Sequence, residues 1–191
     1  WYGDHRDLHL SLRRQRQMCI RDRSISILKS SHRSPKKPIK SIGCIVDTNL
    51  DLDYSDILDL AREMGLKEKD IKIISYSNSI YNDPFCKMRI SDKSVNFYGN
   101  IISADAEEFT SSKYDILINY FGENRILTLL SSKTNAKFRV GFDCSNQNIN
   151  DIIFTDIFNN FEKFRKQLIK YLNYIKWAII IWKETIKSTH L

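Results

Sequence analysis

The run YDILINYF, Tyr114 to Phe121, constrains the fold of this chain more than any other stretch. Drawn out as a strand it is apolar on both sides, with Ile116 and Ile118 on one face and Leu117 on the other. A strand with one wet face alternates apolar and polar residues. One that is apolar on both faces belongs in a parallel sheet covered by helices above and below. The run therefore predicts a central, fully buried strand between two helical layers.

The flanking sequence supplies those layers. Ile39 to Asp47 reads as a first buried strand, with TNLDLD as the loop after it. In YSDILDLAREMG, Ile57, Leu60, Ala61 and Met64 share one helical face; Asp53 or Ser55 is the N-cap and Gly65 the stop. Asp70 to Ser77 is a second strand, closing a right-handed β-α-β unit. A long connection rich in Asn, Ser and Asp follows, with room for one short edge strand. SADAEEFTSS is a short helix capped by Ser103, and ENRILTLLSSKT a helix through Ile126, Leu129 and Leu130. Ala136 to Asp143 and Asp151 to Thr155 are the remaining strands. From Asn159 onward Phe161, Phe164, Leu168, Leu172, Ile175, Ile179 and Trp182 recur at helical spacing. The fold class is α/β: a single Rossmann-like domain of three layers, with a mostly parallel sheet of about five strands and a long C-terminal helix. It occupies residues 39–176, after a polar linker at 24–38; residues 177–191 are a helix end and tail.

The first 23 residues are a different matter. RRQRQMCIRDR, Arg13 to Arg23, looks like a basic arm for nucleic acid. Its codons can instead be written CGT CGG CAG CGT CAG ATG TGT ATA AGA GAC, which is similar to a sequencing-library adapter over its whole length. The segment, with residues 1–12 before it, is read as foreign and set aside. Its removal takes away six Arg and three Asp, leaving 24 basic and 20 acidic residues, a net charge of +4 rather than the +7 of the whole chain. That balance favours no specific nucleic-acid partner. No apolar run reaches the length of a membrane span. Cys44, Cys86 and Cys144 are scattered and form no metal-binding pair, which fits a reducing cytoplasm. His32 and His190 lie in the terminal segments, which speaks against a histidine-dependent centre.

With these segments placed, the body resembles an uncharacterised family of small Bacteroidota proteins, a domain of unknown function. The resemblance spans about residues 39–172 and rests on KSIGCIVD (Lys40–Asp47), IKIISYS (Ile71–Ser77), YDILINYF, NAKFRVGF (Asn135–Phe142), INDIIF (Ile149–Phe154) and FEKFRKQLIKYL (Phe161–Leu172). That family has a helix before its first strand, in whose place the adapter-like segment stands here. It supplies no activity, cofactor or catalytic residue. The stretch from Tyr114 to Phe142 also resembles a strand-helix-strand unit in the first lobe of heptosyltransferase-type glycosyltransferases, enzymes that need two lobes where this chain has room for one.

Three local patterns could carry chemistry. IVDTNLDLD is similar to the opening of PIN-type ribonucleases, whose clustered carboxylates hold metal ions. Asp47, Asp51 and Asp53 find no later acids in that order, so no metal site is expected, and the acids read as a solvated loop and helix cap. A dehalogenase-like pair of acids fails at Asn49. No glycine-rich phosphate loop follows the first strand, and no cofactor is expected. NYFGENR places Tyr120, Gly122, Glu123 and Asn124 at the carboxyl end of the central strand, where open α/β sheets bind ligands; Asp47 and Asn49 end the first strand at the same edge. The sequence thus points to a non-catalytic cytoplasmic binding protein. A degenerate nucleotide-sugar-binding lobe is the alternative, followed by a metal-dependent nuclease. A protein partner or self-association through Trp177, Ile180, Ile181 and Trp182 is the partner expectation.

Overall fold

The computed structural model describes residues 22–26, 28, 38–50, 52–77, 88–96, 100–158 and 160–188, of which 175–188 as backbone alone. Its elements are β1 (Ile42–Asp47), α1 (Tyr54–Glu63), β2 (Ile71–Tyr76), β3 (Met88–Ile90), α2 (Ala104–Ser111), β4 (Lys113–Tyr120), α3 (Arg125–Lys133), β5 (Asn135–Phe142), β6 (Ile152–Phe154) and α4 (Phe161–Ser188). The six strands form one sheet in the order β3-β2-β1-β4-β5-β6, and every pairing is parallel. The expected sheet of about five strands gains its sixth in β3. Three residues of that strand pair with Ile74, Ser75 and Tyr76, too few to show a period in the sequence.

β4 lies in the middle of the sheet, between β1 and β5. Its alternation sorts the core into two layers. Ile116, Ile118 and Tyr120 join one cluster with Ile57, Leu60 and Ala61 of α1 and Phe161, Phe164, Leu168 and Leu172 of α4. Leu117 joins the other, with Ala106 and Phe109 of α2 and Leu127 and Leu130 of α3. Both helical layers of the sequence reading are therefore present. α3 turns its face slightly from the expected one: Leu127 and Leu130 form the contact, with Ile126 at its margin. Residues 22–26 are helical, and Ile25, at the start of the segment read as a polar linker, is 5% exposed against the second layer.

Local chemistry sets the element ends. Asp53 is the N-cap of α1, and at its C-terminus Leu66 N–H donates to Ala61 O and Gly65 N–H to Arg62 O. This 6→1 and 5→2 pair needs a left-handed residue, which Gly65 supplies at φ +77°. β5 and β6 are joined by a short connection with one 3-10 turn, Gln147–Ile149, in place of a crossover helix. At the amino edge, Asp115 of β4 straps down the approach to β1. Its Oδ2 accepts from the N–H groups of Lys40 (2.7 Å) and Ser41 (3.2 Å), and its Oδ1 from Lys137 Nζ (2.6 Å).

Candidate functional site

In a parallel sheet of this order the chain leaves β1 and β4 in opposite directions, and the crevice so formed at the carboxyl edge is the usual ligand position. After β1, Asp47 Oδ1 accepts from Asn49 N–H (3.0 Å) and Asn49 Nδ2 (2.7 Å), closing an Asx turn. Thr48 is tied to the neighbouring strand, its N–H and hydroxyl both donating to Tyr76 O, at 3.1 and 2.8 Å. Asp51 lies outside the described residues. The β1 loop is thus held by its own groups. Among the described residues no three His, Cys, Asp or Glu side chains are grouped to hold a metal ion.

After β4, Gly122 turns the chain into α3. Asn124 caps that helix: its Oδ1 accepts from Ile126 N–H (3.0 Å) and Leu127 N–H (3.1 Å), and its carbonyl accepts from Thr128 Oγ1 (2.7 Å). Tyr120 points away from these residues into the α1/α4 layer. It packs edge-on to Phe142 and Phe161, and its hydroxyl donates to Phe158 O at 2.8 Å. Alternation along β4 puts it on the face of Ile116 and Ile118, a core position.

Glu123, Asn124, Arg125 and Thr128 form one wall of a cleft of about 290 Å3, and Cys144, Ser145 and Asn146 of the β5–β6 connection form the other. The structure therefore brings Glu123 and Asn124 into one site, with Gly122 at its margin, close to Cys144 and Phe158. Asp47 and Asn49 are not among its lining residues. Burial and the neighbouring Asp143 carboxylate raise the Cys144 thiol pKa, which keeps it protonated and weakly nucleophilic at neutral pH.

A hydrogen-bonded chain of two amides and a hydroxyl, buried at Asn119 and Ser145 and half-buried at Asn150, adjoins the cleft. Asn119 of β4 donates from Nδ2 to Asn150 Oδ1 (2.7 Å), Asn150 Nδ2 donates to Ser145 Oγ (3.0 Å), and Ser145 Oγ donates to Phe142 O (2.7 Å). Gly141 makes room for it: a Cβ there would overlap the Asn150 carboxamide. Asn119 is wholly buried, yet its Oδ1 has no hydrogen-bond partner among the described residues. Asn119, Ser145 and Asn150 were not singled out by the sequence. Their one signal was an Asn inside an otherwise apolar strand and the Asn-rich run CSNQNIN, Cys144 to Asn150.

A larger hollow, of about 640 Å3, lies between α1, β2 and α2, away from the β1/β4 crevice. Two of its charged lining residues, Lys72 and Glu108, are already paired at 2.7 Å. The expected apolar surface at Trp177, Ile180, Ile181 and Trp182 lies on α4, where the side chains fall outside those described. No helix among the described residues is long and apolar enough to cross a membrane.

No curated protein and no solved structure matches this chain. The model of a family of unknown function, DUF6913, matches residues 20–175, from just before the first helical turn into α4. The chain belongs to this family of unknown function.

Proposed function

We propose that the domain is a non-catalytic binding protein that takes a small polar ligand at the carboxyl edge of its sheet. The ligand would sit between the start of α3 and the β5–β6 connection. The observation that carries this reading is the chain Asn119–Asn150–Ser145 beside the cleft, buried at both ends and half-buried at Asn150. A polar group in a core is unfavourable unless fully hydrogen-bonded, and a central strand has no structural need of one. Here Asn119 takes a core position and Gly141 gives up its side chain, and Ser145 is thereby fixed where it lines the cleft. The cleft offers hydroxyl and amide groups together with one acid and one base, Glu123 and Arg125, and approaches the lower size limit of small-molecule sites. With the Cys144 thiol protonated, binding is a better account of these groups than covalent chemistry.

A thermal-shift panel of amino acids, short carboxylic acids, nucleotides and nucleotide sugars tests the reading. One class is expected to raise the melting temperature of the wild type; a ligand at about 100 times its Kd contributes about 2.7 kcal/mol. Ser145→Ala should blunt the response. A flat panel, or an equal response in Ser145→Ala, would count against the cleft.

The strand order favours a second reading, a degenerate nucleotide-sugar-binding lobe, which predicts a response to nucleotide sugars alone. The nuclease reading predicts Mn²⁺-dependent cleavage of RNA that Asp47→Asn abolishes. Cys44 and Cys144, neither of them in a disulfide, fit action in the cytoplasm. A Bacteroidota source and an adapter origin for residues 13–23 complete the proposal. Genomic reads across the locus that lack the adapter codons would support that origin.

A further inference from the structure

α4 is longer than the sheet it covers. Its 28 residues span about 42 Å at 1.5 Å per residue, whereas the longest strands, of eight residues, span about 27 Å. Its sheet-facing residues Phe161, Phe164, Leu168 and Leu172 account for the first three turns. At and just beyond the last of these, two aromatic rings lie at the surface, Tyr171 39% and Tyr174 64% exposed, among exposed Lys170 and Asn173. The sequence of the remaining turns, IKWAIIIWKETIKS, has a two-sided pattern. At about 100° per residue, Lys176, Lys183 and Lys187 fall within about 40° of one another. Trp177, Ala178, Ile179, Ile181, Trp182 and Ile186 spread over an arc of about 200° that also takes in Ile175, Thr185 and Ser188, while Ile180 falls on the lysine side.

We propose that the C-terminal half of α4 is a membrane-surface helix that lies in the interface of an anionic bilayer. The arc is about twice the roughly 100° stripe by which a helix packs on a protein layer, so a single docked helix would leave much of it wet. A bilayer surface covers such an arc, and Trp residues at both ends of the apolar stretch suit the headgroup boundary. Charge points the same way. From Lys170 to the C-terminus the chain carries four Lys against one acid, Glu184, so two copies brought together there repel while anionic lipid attracts. No helix among the described residues is long and apolar enough to cross a membrane, so the attachment proposed is a peripheral one. It is independent of the ligand cleft.

The test is co-sedimentation of the full chain with vesicles of phosphatidylcholine alone and of phosphatidylcholine with roughly one quarter phosphatidylglycerol. Binding to the anionic vesicles is expected to be at least about ten-fold tighter and to weaken with added salt. Ile181→Asp should abolish binding without moving the melting temperature of the body. Lys176→Glu, Lys183→Glu and Lys187→Glu together should abolish it with the apolar arc intact. Equal binding to both vesicles, binding to neither, or retention by Ile181→Asp would overturn the proposal. So would a stable dimer in vesicle-free buffer that Ile181→Asp dissolves, which would assign the arc to a second copy.

Discussion

β4 carries one buried polar side chain near each end, and the two are treated differently. Asp115, at the amino edge, is 8% exposed and accepts three hydrogen bonds, from Lys40, Ser41 and Lys137. Asn119, toward the carboxyl edge, is wholly buried and keeps Oδ1 without a partner among the described residues. The first arrangement serves stability: a carboxylate replaces the missing ladder partners of the chain entering β1. The second gives up some stability to hold a connection in place. Open α/β sheets divide their labour in the same way, with the carboxyl edge left for ligands.

The widest separation between the two ends should come from Asp115→Ala. It leaves two backbone N–H groups without their acceptor and returns the largely exposed Lys137 ammonium to water, at a cost of about 3 kcal/mol in urea unfolding. Gly141→Ala should come next, at about 2 kcal/mol, because its methyl group displaces Asn150. If Asn150 is the sole obstruction, Asn150→Ala in the same chain should recover much of that loss, and a double-mutant cycle measures how much. Asn119→Leu should stay within about 1 kcal/mol of wild type, since it exchanges one hydrogen bond and an unpaired oxygen for apolar contact. A loss there as large as that of Asp115→Ala would erase the contrast between the two ends.

The smallest effect concerns pH. Burial alone would raise the Asp115 carboxyl pKa, but the hydrogen bonds from Lys137, Lys40 and Ser41 outweigh it and hold the group below its ordinary 3.8. A carboxyl depressed in the folded state contributes stability above its unfolded value, and that contribution is lost as pH falls through the folded one. Wild type should therefore lose stability more steeply than Asp115→Asn on acidification from about pH 5 to pH 3. Parallel slopes would mean that the strap contributes little.

The two ends of β4 were also unequally legible. The strand itself declares its place through Ile116, Leu117 and Ile118, and alternation alone carries Tyr120 to the core face. The α3 cap was visible in NYFGENR, because capping is a local matter of two or three residues. The partners of Asp115 and Asn119 were not. Lys40 lies 75 residues from Asp115 and Asn150 lies 31 from Asn119, and only the parallel register brings them together. β3 was allowed for as one short edge strand in the long connection, but its place at Met88–Ile90 was not legible, the strand being too short to display alternation.

If the carboxyl edge is the binding site, its amide chain serves the ligand more than the fold. The most direct measurement is a ¹⁵N chemical-shift titration of wild type and Asn119→Leu with whichever class of the ligand panel raises the melting temperature. Wild type should show saturable shifts confined to Gly122–Thr128 and Cys144–Asn150, and Asn119→Leu should bind at least about ten-fold more weakly at nearly unchanged stability. Equal affinity in the two proteins, or shifts confined to other parts of the sheet, would contradict it.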